Sequence, residues 1–315
     1  MVRGNALSLP VAVGTVQTCV TSPPYWGLRD YGVSGQLGLE STPDAYVASM
    51  VAVFREVWRV LREDGTLWLN LGDSYASQGG PEPAQTKWQV QGASDGQNGG
   101  RSRTAGSLKP KDLVGIPWRV AFALQADGWY LRSDIIWAKP NPMPESVTDR
   151  PTKAHEYLFL LTKNARYYWD ADAVREPVAE ASVARAEYRG ANGTKWSDAA
   201  GYGDNEAEFG VKRRACLEHG PANNPLGRNR RSVWTIATQP YPEAHFATFP
   251  EKLVEPCILA GSRPGDLVLD PFAGSGTVGV VSRKLARRFV GVELNAAYCQ
   301  LARARMAGTQ PGLGL

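Results

Sequence analysis

The chain has 315 residues, of which 43% are hydrophobic, and a formal net charge of +4. This length and composition predict one large α/β domain, alone or with a smaller insert, around a substantial hydrophobic core. The sequence has no apolar run near twenty residues, which excludes a membrane span, and its four cysteines are scattered without a CxxC pair, which argues against a zinc site.

The amino-terminal segment, MVRGNALSLPVAVG, lacks the basic region and the long apolar core of a signal peptide. We therefore expect a cytoplasmic protein, and scattered cysteines suit a reducing compartment. A net charge this small does not by itself indicate any particular kind of partner.

A short apolar strand is predicted to end at residues 19–21, and the sequence TSPPYW follows it. Pro23 and Pro24 prevent further ladder pairing because proline has no backbone N–H. Tyr25 and Trp26 then stand where a soluble protein usually places polar turn residues. A rigid corner with two aromatic side chains at a strand end indicates a binding site, and the alternative is a proline-stiffened turn with buried aromatics.

Helices and strands alternate through the first half of the chain. The segment TPDAYVASMVAVFREVWRVLRED predicts a helix that begins at Pro43 and stops at Gly65, followed by a buried strand over residues 66–71. A second helix, in IPWRVAFALQADG, precedes a strand broken by Pro140 and an apolar strand over residues 157–161. This alternation predicts a mostly parallel sheet covered by helices. The apolar face of the first helix comprises Val47, Met50, Val51, Phe54, Val57, Trp58 and Leu61.

Two stretches interrupt this alternation. Residues 77–108 are rich in Gly, Gln and Ser, and we expect such a segment to be mobile in the isolated protein. It is either a passive surface loop or a clamp that orders on a partner through its basic and aromatic side chains, Lys87, Trp88, Arg101 and Arg103. Residues 175–232 are polar, charged and weakly patterned, and we interpret them as an inserted recognition region.

The inserted region contains a basic stretch. Between residues 212 and 231 there are six basic side chains and one acid, Glu218. Local positive charge in a nearly balanced protein is expected where a protein contacts nucleic-acid phosphates, and a solvated charged loop is the alternative. The six residues are Lys212, Arg213, Arg214, Arg228, Arg230 and Arg231.

The carboxyl-terminal third contains the sequence DLVLDPFAGSGTVG. A strand is predicted to end at Asp270, a glycine-rich turn follows, and a helix begins near Thr277. Gly274 and Gly276 allow tight backbone conformations and the close approach of a ligand. Glu293, at the end of the next strand, is placed to bind a ribose hydroxyl pair. These features predict a nucleoside-type cofactor, and the lack of G-x-G-x-x-G in the turn argues against a dinucleotide.

Several motifs resemble those of the amino-group DNA methyltransferases, which use S-adenosyl-L-methionine (SAM). DPFAGSGT resembles their cofactor-binding motif, TSPPYW their catalytic motif, and FPEKL the segment just upstream of the cofactor turn. The catalytic motif comes first and the cofactor motif last, as in the permuted β group of that family. The resemblance implies a Rossmann-like α/β fold, with parts of the catalytic domain at residues 1–174 and 233–315 and a target-recognition insert at residues 175–232.

The chemistry of that family implies a role for each residue of the corner. The exocyclic amine of a base is a poor nucleophile because its lone pair is delocalised into the ring. Hydrogen bonds from the amine to the Ser22 hydroxyl and the Pro23 carbonyl would favour a more tetrahedral nitrogen, and Pro24 helps to fix the backbone. Tyr25 would stack on a base swung out of the duplex. Cys19 is expected to be a core residue without a nucleophilic role.

The resemblance also implies a set of cofactor contacts. Phe272 is expected to pack beside SAM, and Asp270 to lie near its amino-acid end. Asn5, where the family has an aspartate, is expected to accept a hydrogen bond from the adenine amine. Asp73 either lines this pocket or caps the core edge. The expected cofactor residues are Asn5, Asp270, Phe272, Gly274, Gly276, Thr277 and Glu293.

We therefore expect a site-specific methyltransferase acting on double-stranded DNA, as an implied homodimer. The target is adenine N6 or cytosine N4: the serine-first motif is usually linked to cytosine N4, but serine and aspartate both accept hydrogen bonds, so both bases stay open. The lack of a nuclease motif favours a stand-alone methylase or the modification half of a restriction–modification pair. The expected DNA-binding residues are the six basic residues of the insert together with Arg101 and Arg103.

Two other classes of protein remain as alternatives. An RNA or protein amide methyltransferase would share the corner but predicts no long recognition insert. A catalytically inactive DNA-binding regulator predicts the loss of Ser22, Tyr25 or the glycine turn, all of which are present.

Overall fold

The computed structural model describes residues 1–76, 108–178, 227–239 and 250–312. The chain divides into two units, one formed by residues 1–169 with 232–315 and the other by residues 170–231. The expectation of a mobile loop or a clamp within residues 77–108 falls almost wholly outside the described residues. The recognition role of the region 175–232, which overlaps the second unit, stays a prediction.

The described part of the first unit contains a sheet of eight strands. Their order across the sheet is β1-β8-β7-β2-β3-β5-β4-β6, with numbers in chain order. The strands are β1 Val2–Arg3, β2 Val16–Thr21, β3 Leu61–Leu71, β4 Tyr130–Ala138, β5 His155–Thr162, β6 Val233–Thr235, β7 Leu267–Asp270 and β8 Arg288–Glu293.

Most neighbouring strands of this sheet run parallel. Strands β1, β8, β7, β2 and β3 are parallel to one another, as are β4 and β6. Strand β5 is antiparallel to both β3 and β4. The predicted mostly parallel α/β sheet is therefore confirmed, and the carboxyl ends of β7, β2 and β3 lie at one edge, where open α/β sheets bind ligands.

Five helices and one 3₁₀ turn accompany the described strands. Thr42 caps the first helix by accepting a hydrogen bond from Ala45 N, and Asn295 caps the last by accepting one from Ala297 N. None of the described helices is long and apolar enough to cross a membrane. The helices are α1 Pro43–Val60, α2 Ile116–Ala126, α3 Glu251–Gly261, α4 Thr277–Lys284 and α5 Ala296–Ala307, and the 3₁₀ turn, in the second unit, is Asp172–Val174.

Helix α1 ends earlier than its sequence pattern predicts. Its last residue is Val60, and Leu61 is already extended and pairs with Val16. The predicted stop at Gly65 is wrong because residues 62–65 form a bulge in β3, where a side chain on this glycine would press against the Gln17 carbonyl. The buried face is accordingly shifted and comprises Pro43, Tyr46, Met50, Val53, Phe54, Val57 and Val60.

The core of the first unit lies between helices and the central strands. Cys19 is fully buried in β2, as expected for a core residue, and burial raises the pKa of its thiol well above the ordinary value. A buried, protonated thiol is a poor nucleophile. Burial and the raised pKa fit the expected packing role of this side chain.

Candidate active site at the carboxyl edge of the sheet

The proline corner and the glycine turn begin at neighbouring strand ends. Strand β2, which leads into the corner, pairs in parallel with β7, which leads into the turn, and Cys19 lies opposite Leu269. At the end of these strands the Thr21 hydroxyl donates to Asp270 Oδ1 at 2.7 Å. The structure thus brings together the two motifs that lie at opposite ends of the sequence.

The corner itself is fixed by the segment that follows it. Tyr46 of α1 donates its hydroxyl hydrogen to the Pro24 carbonyl at 2.8 Å. The Trp26 indole donates to the Glu40 carbonyl at 2.8 Å, and its side chain is buried in the core. Trp26 is therefore a packing residue, whereas Tyr25 is the aromatic side chain of the corner that remains half-buried at the sheet edge.

The Tyr25 ring is held by residues that the sequence did not single out. Its hydroxyl donates to Glu156 Oε2 at 2.6 Å, and Asn70 Oδ1 lies 3.2 Å away. The ring lies against Gly72, because a β-carbon added there would be 2.5 Å from Cε2 of the tyrosine. The orientation of this ring is therefore fixed by Asn70 of β3, by Gly72 just after β3 and by Glu156 of β5.

Glu156 is in turn held by a lysine. The two antiparallel strands β4 and β5 place Lys139 and Glu156 together, with Nζ 2.5 Å from Oε1 and both side chains less than one-fifth exposed. The lysine also stacks on the Trp137 ring, 4.4 Å from its centroid. Burial, followed by the nearby carboxylate, raises the pKa of Tyr25 well above its ordinary value, so the phenol stays protonated at neutral pH.

Two carboxylates organise the glycine turn. Asp270 Oδ1 accepts from the Phe272 N–H at 3.0 Å, and Glu293 accepts from the N–H groups of Gly274 and Asn295 at 2.9 and 2.8 Å. Burial raises the pKa of Asp270 to about 7 and also raises the pKa of Glu293. The turn thus carries two acids at adjacent strand ends, one of them close to half-ionised at neutral pH.

The two glycines of the turn have different surroundings. Both have positive φ, +48° at Gly274 and +81° at Gly276. A β-carbon at Gly274 would meet nothing nearer than 3.9 Å, so the space beside it is open. At Gly276 it would lie 2.7 Å from Cβ of Ala302, so this glycine lets α5 pack closely. Contact of Gly274 with a ligand fits this geometry, and Gly276 has a packing role.

An arginine that the sequence did not indicate holds the turn from α5. Arg305 donates to the Ser275 carbonyl at 3.0 Å and to Thr277 Oγ1 at 3.3 Å. The Thr277 side chain is buried. Its hydroxyl therefore stabilises the start of α4, and a direct contact with the cofactor stays a prediction.

A pocket of ≈ 490 Å³ lies beside Glu293 at the ends of β1 and β8. Asn5 is one of its lining residues, and its side-chain oxygen accepts from the Leu7 N–H at 3.0 Å, which fixes the amide. The pocket is shallow and open to solvent. The lining residues are Arg3, Gly4, Asn5, Gly32, Val33, Ser34 and Leu294.

Asp73 caps a helix. Its Oδ1 accepts from the N–H groups of Gly115 and Ile116 at 3.0 and 3.1 Å, at the start of α2. A carboxylate at this position satisfies free backbone donors and complements the helix dipole. The structure thus shows a capping role for this residue, and a position in the cofactor pocket stays a prediction.

Three of the predicted DNA-binding residues lie in the described part of the second unit. Glu176 forms ion pairs with Arg228 at 3.4 Å and with Arg231 at 3.2 Å, and Arg231 is still 68% exposed. Arg230 lies between them in the sequence and is half-buried. The remaining five, Lys212, Arg213, Arg214, Arg101 and Arg103, lie outside the described residues.

The chain is similar to known DNA methylases over most of its length. A family model for N6/N4 DNA methylases matches residues 16–304. The chain is 47% identical over 308 residues to the Type II methyltransferase M.Cfr9I of Citrobacter freundii, covering 97% of this chain and 87% of that protein. It is also 47% identical over 292 residues to M.SmaI of Serratia marcescens, covering 91% of this chain and 82% of that protein.

Two solved structures share the fold. The PvuII DNA methyltransferase (cytosine-N4-specific) superposes with a TM-score of 0.61 at 18% identity, covering 96% of this chain and 84% of that one. A putative DNA modification methylase from Thermus thermophilus, complexed with SAM, gives a TM-score of 0.57 at 23% identity, covering 99% and 95%. These likenesses support the Rossmann-like methyltransferase fold.

Proposed function

Because the chain belongs to the N6/N4 DNA methylase family, we propose that it transfers a methyl group from SAM to the exocyclic amine of a flipped base in double-stranded DNA. The observation that carries this proposal is the junction of the proline corner and the glycine turn, marked by the 2.7 Å hydrogen bond from Thr21 to Asp270. Donor and acceptor of a methyl group would meet at this one edge of the sheet.

The corner supplies hydrogen-bond acceptors for the amine. The Ser22 hydroxyl and the Pro23 carbonyl accept its two hydrogens, which draws the lone pair out of conjugation and aims it at the methyl group. Neither acceptor has to be a strong base, since the nitrogen becomes acidic once methylated. Tyr25, fixed against Gly72, offers its ring face to the extruded base.

The turn and the neighbouring pocket fit SAM. Three observations support this: the space beside Gly274 is open, Glu293 lies at the strand tip next to it, and a pocket of ≈ 490 Å³ is lined by Asn5. Glu293 would accept from the ribose hydroxyls, and the adenine would lie in the pocket. Asp270 would hold the amino-acid end, and Phe272 would pack beside the cofactor. When bound, SAM supplies an electrophilic methyl group on its sulfonium sulfur.

We favour cytosine N4 as the target atom. Ser22 stands first in the motif, the form that the family resemblance links to N4 of cytosine, and adenine N6 is the other candidate. The PvuII enzyme, which is named cytosine-N4-specific, shares the fold, but at 18% identity it supports the architecture and not the base. We further propose that residues 175–232 recognise the target sequence and that the protein is a homodimer. Sedimentation velocity would test the homodimer.

To test the proposed methyl transfer, the purified protein is incubated with methyl-labelled SAM and, in separate reactions, duplex DNA, RNA or protein. We expect label in duplex DNA, and mass spectrometry of the digested nucleosides should identify N4-methylcytosine. N6-methyladenine would correct the base. Label in RNA or protein alone, or binding of DNA without transfer, would contradict the proposed activity.

A further inference from the structure

The hydroxyl group of Tyr25 has three polar neighbours. It lies 2.6 Å from Glu156 Oε2, 3.2 Å from Asn70 Oδ1 and 3.5 Å from Ser22 Oγ. These neighbours come from β5, β3 and the corner itself. The direction of the hydrogen bonds among them determines which way the hydroxyl hydrogen of the serine points.

Glu156 and Asn70 both face the tyrosine as hydrogen-bond acceptors. Lys139 Nζ donates to Glu156 Oε1 at 2.5 Å, which fixes the carboxylate and leaves Oε2 for the tyrosine. The Asn70 Nδ2 group donates to the Tyr157 carbonyl at 3.1 Å, which turns the amide oxygen toward Tyr25. Neither side chain has a hydrogen to offer to the phenol oxygen.

The phenol has one hydrogen and can donate it to one acceptor at a time. The charged carboxylate of Glu156 at 2.6 Å is the strongest of the three acceptors. The Tyr25 oxygen is then left to accept, and Ser22 is the neighbour able to donate. Their 3.5 Å separation is at the long limit of a hydrogen bond, which is common at catalytic sites before substrate binds.

We propose that Glu156 is a positioning residue that, through Tyr25, turns the Ser22 hydroxyl hydrogen away from the substrate, so that the serine oxygen presents its lone pairs to the target amine. This inference rests on the proposed function. A serine hydroxyl both donates and accepts hydrogen bonds, unlike a carboxylate, which only accepts. A serine at this position acts as an acceptor only if its hydrogen points away from the substrate. The series of hydrogen bonds through Lys139, Glu156 and Tyr25 directs that hydrogen to the tyrosine oxygen.

A double-mutant cycle tests the coupling. Tyr25→Phe keeps the ring and removes the hydroxyl, and Glu156→Gln keeps the shape and removes the charge. Each should slow single-turnover methyl transfer roughly tenfold or more, with an SAM Kd close to that of the wild type. The double variant should be no slower than Tyr25→Phe. If Glu156→Gln slows the Tyr25→Phe enzyme by the same factor again, the glutamate acts independently of the tyrosine and the proposal is wrong.

The role of Lys139 gives a second test with the opposite sign. In Glu156→Gln the lysine should hold the amide oxygen, so that the amide NH₂ faces Tyr25 and reverses the hydrogen bond. Adding Lys139→Met frees the amide to rotate and offer its oxygen to the tyrosine. The rate should then recover by at least roughly threefold relative to Glu156→Gln. A double variant as slow as or slower than Glu156→Gln would contradict the proposal.

A matched control comes from the opposite end of the sheet. Glu63, near the start of β3, accepts from Lys163 at 2.8 Å, and Glu63→Gln makes the same chemical change away from the corner. It should leave the transfer rate unchanged, and thermal melting should show that all variants fold. If the wild type transfers no methyl group to DNA, the proposed function itself fails. If the wild type is active and the cycle is additive, the inference about Glu156 alone fails.

Discussion

The Thr21 hydroxyl donates a 2.7 Å hydrogen bond to the Asp270 carboxylate, although the two residues are 249 positions apart in the chain. Both side chains are buried at the ends of adjacent parallel strands. This bond joins the strand that leads into the proline corner to the strand that leads into the glycine turn. It therefore sets the spacing between the two halves of the proposed active site.

Loss of this bond should affect both stability and cofactor binding. Thr21→Val keeps the shape of the side chain but leaves a buried carboxylate without one donor, which should lower the free energy of unfolding by about 1–3 kcal/mol. Thr21→Ser keeps the hydroxyl and serves as the control. Denaturant unfolding measures the change in stability, and calorimetric titration measures the change in SAM binding. A Thr21→Val protein as stable as the wild type would show that the bond contributes little to stability.

The ionisation of Asp270 should make SAM binding depend on pH. Its pKa is raised to about 7 by burial, so the carboxyl group is mostly neutral below that pH. The ammonium group of the cofactor favours the ionised carboxylate, so the affinity should rise between pH 5.5 and 7, by up to about tenfold per pH unit. Asp270→Asn should bind SAM more weakly and without this pH dependence. Calorimetric titrations at several pH values would test both points.

The same substitution should stabilise the cofactor-free protein at high pH. Because the pKa of Asp270 is raised by folding, the folded state binds the carboxyl proton more tightly than the unfolded state does. This contribution to stability is fully present below the unfolded-state pKa and is lost as the pH rises through about 7. The amide oxygen introduced by Asp270→Asn can keep both bonds that the carboxylate Oδ1 accepts, without the buried charge. This variant should therefore gain roughly 1–3 kcal/mol over the wild type at pH 8. Equal stability of the two proteins across pH 5–8 would contradict the shifted pKa.

The two glycines of the turn should respond differently to substitution. Gly274→Val meets no close neighbouring atom but strains the backbone at φ +48°, so besides some loss of stability it should lower SAM affinity more than turnover at saturating SAM. Gly276→Ala would press against Ala302 and should lower stability by roughly 1–3 kcal/mol. Thermal melting and SAM binding of both variants would test the distinction. Normal SAM binding by Gly274→Val would contradict the proposed difference between the two glycines.

Gly72 should be needed for the position of the Tyr25 ring. A β-carbon at Gly72 would overlap the ring edge, 2.5 Å from Cε2, so Gly72→Ala should displace the tyrosine. We expect slower methylation and weaker base extrusion, read from the fluorescence of a base analogue at the target position (pyrrolocytosine for cytosine, 2-aminopurine for adenine), with SAM affinity retained. Unchanged extrusion would mean that the ring does not contact the base.

Much of the fold and the two motifs could be predicted from the sequence because their signals are local. A strand end followed by two prolines, or by a glycine-rich turn and a strand-tip acid, is visible in a few adjacent residues. The boundary of α1 could not be placed in this way, because apolar spacing continues through Leu61 into a strand. Pairing with Val16 determines that residue's conformation, and such pairing is not local.

The contacts of Tyr25 could not be predicted from the sequence either. Glu156 follows His155 at the start of a strand, where an acid is usually solvated, and only the antiparallel placement of β5 beside β3 brings it to the corner. In the same way Gly276 resembles Gly274 in the turn, and it is the packing of Ala302 that distinguishes them. Contacts between distant segments account for each of these differences.

The central claim is that the proline corner and the glycine turn form one methyl-transfer site, with Ser22 on the acceptor side. Single-turnover methylation of duplex DNA by Ser22→Ala, measured together with its SAM Kd, tests this most directly. The transfer rate should fall by about 100-fold or more while the Kd stays within about twofold of the wild-type value. A normal rate, or losses of equal size in rate and in SAM affinity, would contradict it.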